Sequence, residues 1–193
     1  MSIKIVGVDG AVREGSKTRA LLEVTGEAIV RNGGAFDWLS QATEPLPIFD
    51  GKSQTAQHPA VQRLFALSRD ADAFILSSPE YHGSMSGALK NALDWMTSDF
   101  GGVDVSGKLF GLVGGGGAMG NSGAIVQMMM AVRSMHGWVM PDVMVSATNI
   151  WEAVESSPAR IVDDKLMARV DVFAAKVVGY ASRFQEMRLR MAA

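Results

Sequence analysis

Asp9, Gly10, Arg13, Gly15, Ser16, Lys17 and Thr18 are gathered in one short stretch between an apolar run, Ile3 to Val8, and a segment with helical spacing. A glycine-containing turn from strand into helix aims backbone N–H groups and the positive end of a helix dipole at one point, which is an anion site. Arg13 adds a guanidinium fork for phosphate oxygens, and Ser16 and Thr18 add hydroxyl donors. The spacing Gly10-x4-Gly15-Ser16-Lys17-Thr18 differs from a nucleotide-triphosphatase loop by one inserted serine, which moves the lysine off the outer phosphates. An arginine within such a loop suits a single terminal phosphate, so a monophosphate cofactor is the expected occupant. An ordinary solvated turn is the alternative.

Two further stretches carry chemistry. Ser78-Pro79-Glu80-Tyr81-His82-Gly83-Ser84 combines a fixed backbone path with flat, polar-tipped side chains suited to the edge of an aromatic ring system. A carboxylate beside a reducible ring would oppose developing negative charge, so Glu80 is expected to point away and brace the loop or a subunit contact. Tyr81 and His82 are candidate substrate contacts. His82 has a general-acid reading and a structural hydrogen-bonding reading, of which the second is preferred. The run Gly114 to Gly120 holds a literal Gly-x-Gly-x-x-Gly at 115, 117 and 120, with Asp142 downstream. It follows the fourth strand rather than the first, with too little chain after it for a dinucleotide half-domain. Its glycines are expected to let backbone approach a flat ring, with a tight turn as the alternative.

The elements that must position these loops alternate. Strand-like runs fall at 3–9, 35–39, 73–77, 109–114 and 139–146, and helical patterns at 17–31, 59–70, 85–97 and 121–136. A last helix is expected from Ser157 as N-cap and Pro158 as its first residue to about Arg190, with a break at Gly179. Ser84 is the expected N-cap of the helix from Met85. Residues 40–57, with Pro45, Pro47 and Gly51, read as a long loop. The alternation predicts an α/β fold: a doubly wound, five-stranded parallel sheet with helices on both faces. The carboxyl ends of its strands would bring the three loops together.

Composition narrows the function. The 193-residue length suits one domain over residues 1–193. A net charge of −2 gives no electrostatic footprint for nucleic acid, and no apolar stretch has the length of a membrane span, so a cytoplasmic protein is expected. The absence of cysteine removes thiol nucleophiles and thiolate-held metals, so redox chemistry here requires a bound cofactor. His58, His82 and His136 are too scattered to suggest a metal site. Of thirteen methionines, six are crowded between Met128 and Met144, which suggests core or subunit packing.

With these residues in view, the chain resembles the NAD(P)H-dependent FMN reductase family of the flavodoxin-like fold, especially its azoreductase and quinone-reductase branch. The matching stretches are 10–19, 78–95 and 114–120. The resemblance implies FMN as cofactor, NADPH or NADH as co-substrate, and a small-molecule acceptor reached by ping-pong hydride transfer. By the same likeness Ala11, Arg13, Ser16, Lys17 and Thr18 fall where the FMN phosphate is held. Pro79, Glu80, Tyr81, His82 and Gly83 fall along the isoalloxazine, and Gly115, Gly116 and Gly117 at its other edge. Many members carry serine or threonine in place of Ala11 and asparagine in place of His82. The family also implies a homo-oligomer, dimer or tetramer, with helices such as 85–96 in the contact. A flavodoxin-like electron carrier docking to protein partners is the rival reading, disfavoured by the near-neutral charge.

Overall fold

The computed structural model describes residues 2–118 and 120–192, so Met119 of the glycine run lies outside the described residues. In chain order the elements are β1 (Lys4–Asp9), α1 (Lys17–Arg31), β2 (Ala35–Leu39), α2 (Ser53–Ala56), α3 (Pro59–Asp70), β3 (Ala73–Tyr81), β4 (Ser84–Met85), α4 (Gly87–Trp95), β5 (Leu109–Gly115), α5 (Ser122–Ser134), β6 (Met144–Ala147), α6 (Ile150–Ala153), β7 (Val154–Ser156), β8 (Ala159–Ile161) and α7 (Asp164–Ala192). The parallel strands pair in the order β2-β1-β3-β5-β6, which is the flavodoxin-like order with its switch point between β1 and β3.

Alternation along the strands divides the core between the two faces. Ile5, Ile75, Val113 and Val145 face α1 and α7. Val6, Val8, Phe74, Leu76, Phe110 and Leu112 face α3, α4 and α5. Because both faces are covered, the strands read as nearly continuous apolar runs.

Four boundaries differ from the sequence reading. β3 continues to Tyr81 and folds back antiparallel as β4, pairing Glu80 with Met85. Its two-residue turn has both members left-handed, His82 at φ 52° and Gly83 at φ 75°, the pattern that matches strand twist in tight hairpins. Met85 is therefore strand, and the helix N-cap is Ser86 rather than Ser84: its hydroxyl accepts from Leu89 N–H at 3.1 Å. The ladder of β6 begins only at Met144, because Pro141, which lacks an N–H, lies in a turn closed by Val143 N–H on Met140 O. Ser157 and Pro158 form the turn of the β7–β8 hairpin, with a cis peptide between them. The last helix is capped instead by Asp163, whose carboxylate accepts from Leu166 N–H at 2.9 Å, and it runs unbroken through Gly179.

Ser86 also joins the elements around the switch point. Its hydroxyl donates to Gly10 O at 2.7 Å, and its N–H donates to Ser78 Oγ at 2.9 Å. Replacing Ser86 by alanine removes a helix cap and a buried tie at once, so urea unfolding should show a loss of about 1 to 2 kcal/mol. An unchanged midpoint would contradict this role.

Candidate functional site

The loop after β1 is folded around a side chain. Asp9 is fully buried and accepts from Ala11 N–H and from Arg19 Nε, both at 2.9 Å. Arg19 Nη2 donates in turn to Ala11 O and to Arg13 O, the latter at 3.0 Å. Two carbonyls of the loop are thus drawn inward. The N–H groups from Val12 to Thr18 have no protein acceptor among the described residues, and they precede or open α1. Ser16 caps that helix by accepting from Arg19 N–H at 3.3 Å, and Gly15, at φ 64°, makes the turn. Burial pushes the Asp9 carboxyl up from its ordinary value, against the pull of the Arg19 and Ala11 donors.

A cavity of about 280 Å³ opens over this loop. Its wall includes Arg13, Ser16, Lys17, Thr18, Pro79, Glu80, Tyr81, Gly115, Gly116 and Gly117, so residues from all three loops of the sequence reading meet there. Ala11 lies beneath the loop, 2% exposed, with its peptide groups engaged by Asp9 and Arg19. His82 and Gly83 form the exposed hairpin tip rather than the cavity wall. The left-handed turn gives His82 a conformational role, one that asparagine fills with less strain. Glu80 turns to α5, where its carboxylate accepts from Ala124 N–H at 3.0 Å, so it braces the hairpin against that helix.

Ile150 and Trp151 complete the wall, and the sequence reading did not include them. They follow β6 at its carboxyl end, where a left-handed Asn149, φ 45°, starts α6. Asn149 and Ile150 N–H donate to Gly117 O at 3.0 Å and to Gly116 O at 3.1 Å. Ile150 is buried against Gly115, whereas Trp151 is 61% exposed and presents its indole beside Gly117. The available signal was positional: a tryptophan just beyond the last parallel strand, at the end of the sheet where the other loops gather.

The glycines have separate roles. A Cβ on Gly116 would collide with Gly120 O, so this glycine is required by the loop's own folding. At Gly117 the nearest atom would be Trp151 Cζ3 at 3.6 Å, an ordinary contact, so its missing side chain leaves room in the cavity. Asp142, in the position of a dinucleotide-site acid, instead pairs with Lys176 and accepts from Tyr180 on the outside of α7.

The donor set fits a flavin mononucleotide. One end offers unengaged N–H groups with Arg13 and Lys17 for a terminal phosphate, and the other offers a glycine wall, Pro79, Tyr81 and Trp151 for a flat ring. The order of strands and this site define a flavodoxin-like flavin-binding protein. Residues 3–152 match the family model for NADPH-dependent FMN reductase, and the chain belongs to that family. It is 27% identical over 175 residues to an FMN-dependent NADPH-azoreductase of Staphylococcus saprophyticus, with 89% of this chain and 91% of that one covered. It is 33% identical over 169 residues to an NAD(P)H-dependent FMN reductase of Pseudomonas aeruginosa, covering 84% and 86%. The flavoenzyme NAD(P)H:(acceptor) oxidoreductase FerB of Paracoccus denitrificans shares the fold, with a TM-score of 0.75 at 21% identity over 94% and 98% of the chains.

The two arginines should separate in experiment. Arg13→Ala should weaken FMN binding by about 1.5 to 3 kcal/mol, read by titration of the apo-protein, with thermal stability retained. Arg19→Ala leaves Asp9 buried without its partner and should cost about 3 kcal/mol or more of folding stability. Equal effects of the two on stability would contradict the assignment. For the glycines, Gly117→Ala should reduce flavin affinity with little loss of stability, whereas Gly116→Ala should lower the melting temperature as well. The reverse order would mean that Gly116, not Gly117, faces the ligand.

Proposed function

We propose that the chain passes a hydride from NADPH or NADH through bound FMN to a small oxidised acceptor, of the quinone or azo class, in two half-reactions sharing one open face. The observation that carries this reading is the convergence of an N–H-rich, arginine-bearing loop with a glycine wall in one cavity at the switch point. The names of the azoreductase relative and of a probable NADPH:quinone oxidoreductase from Oryza sativa, 34% identical over 96 residues, support the choice of acceptors.

FMN, when bound, supplies two-electron hydride chemistry that side chains do not. The protein's part is position and electrostatics. The N–H groups before α1, with Arg13, Lys17 and the Ser16 and Thr18 hydroxyls, anchor the phosphate end. Pro79, Tyr81, Gly117 and Trp151 line the same cavity and would confine the planar ring. Tyr81, 52% exposed, and Trp151 border the open side and are the side chains a planar nicotinamide or acceptor meets first. No protein acid is needed at the ring, in keeping with the placement of His82 at the hairpin tip.

We also infer a homo-oligomer. The apolar face of α4 is used within the core, with Leu89, Leu93 and Met96 buried. An exposed strip lies instead on α5, where Val126 and Met130 are 52% and 62% exposed, next to Trp138 at 53%. A strip of this kind is suited to cover by a second copy.

Steady-state rates with NADPH, NADH and a panel of quinone, azo dye, free flavin and ferric acceptors test the reading. Parallel double-reciprocal lines and turnover without a protein partner are expected. Intersecting lines would contradict the shared face, and reduction only of a partner protein would favour an electron carrier. Sedimentation at micromolar concentration should show an assembly larger than one chain.

A further inference from the structure

α5 is capped in an unusual way. Its N-cap residue, Asn121, makes no side-chain cap bond; its buried amide donates instead to Ser78 O at 3.3 Å. The helix N-terminus is satisfied by a distant carboxylate, Glu80, which accepts from Ala124 N–H at 3.0 Å. A Cβ on Gly123 would sit 3.2 Å from Glu80 Oε2 and would collide with Gly83 O, so glycine is what lets the hairpin close on this helix. Glu80 is half-buried in the cavity wall, and no ion pair joins it to a cation among the described residues.

A neutral serine or threonine would cap the helix equally well. A carboxylate does two additional things: it offsets the positive end of the α5 dipole, and it places a fixed negative charge on the wall of a cavity where hydride arrives. Hydride addition to an oxidised isoalloxazine delivers two electrons and one proton, leaving the ring with one more negative charge than before. Although its carboxylate is turned to α5, Glu80 still lines the cavity, so its charge acts on that added charge through space rather than by contact.

We propose that the Glu80 carboxylate sets the redox poise of this site, holding bound flavin toward its oxidised form and so favouring onward delivery of the electrons. The inference rests on the FMN reading of the cavity. A unit charge about 10 Å away, at an effective dielectric of about 20, changes an equilibrium on the order of tenfold.

Apo-protein should be titrated anaerobically with oxidised and with dithionite-reduced FMN, for the native chain, Glu80→Gln and Glu80→Asp. Glutamine retains an oxygen for Ala124 N–H but loses the charge. Its affinity for reduced relative to oxidised FMN should rise about tenfold, equivalent to an upward shift of about 30 mV for a two-electron couple. Aspartate keeps the charge on a shorter arm, so its ratio should stay near the native one while the Ala124 amide exchanges faster with solvent. An unchanged ratio in Glu80→Gln, with flavin still bound, overturns the role of Glu80 alone. A ratio that rises equally in Glu80→Asp shows that cap geometry rather than charge is responsible, and also overturns it. Failure of the native chain to bind FMN in either state overturns the cofactor reading and this inference together.

Discussion

The Asp9–Arg19 pair decides which way the peptide groups of the first loop point. Asp9 ends β1 in the buried centre of the sheet, where a carboxylate without donors would be strongly destabilising. Arg19, in the first turn of α1, supplies the counter-charge at 2.9 Å and donates also to Ala11 O and Arg13 O. A buried pair of this kind contributes little net stability, since desolvation offsets most of the attraction. Its effect is geometric: carbonyls go toward the guanidinium, and the N–H groups from Val12 to Thr18 are left without protein acceptors among the described residues, in a loop that borders the cavity. The anion site follows from that orientation as much as from Arg13.

A second set of hydrogen bonds brings the remaining walls to this loop. Ser86 bridges Gly10 O and Ser78 Oγ, and Gln41 joins Asp9 O to Ala88 O at 2.8 and 3.0 Å. Asn121 ties the start of α5 to Ser78, and α6 hangs from the carbonyls of Gly116 and Gly117. Most of these links join segments that follow neighbouring strands of the parallel sheet, while Gln41 reaches from beyond β2 to α4. The cavity is therefore positioned by short buried bonds rather than by the exposed side chains that line it.

Much of the sheet was legible because buried parallel strands leave continuous apolar runs, and the helices on the two faces leave a helical period. The boundaries that moved were those set by local hydrogen-bond competition. Ser84 and Ser86 are equivalent cap candidates in sequence; the left-handed His82-Gly83 turn makes Ser84 a strand residue and leaves Ser86 to cap. Pro158 suits the first turn of a helix as well as a hairpin turn, so Ser157-Pro158 competes in sequence with Asp163, which lies three positions before the buried Leu166 and is the actual cap. In the site, Arg13 was visible as a guanidinium in a loop. The role of Arg19 was not, because it depends on the depth at which Asp9 is buried. Trp151 was missed because the chain beyond β6 carries no glycine or charge signature, only a place at the correct end of the sheet.

Amide NMR spectra recorded through a titration with FMN test the central claim most directly, since they read the N–H groups themselves. The signals of Arg13 to Thr18 should move most, together with that of Gly117, while those of Asp72 and Lys108, at the other end of the strands, stay fixed. Bound FMN with unmoved amides from Arg13 to Thr18 would contradict the orientation imposed by Asp9 and Arg19, and with it the site.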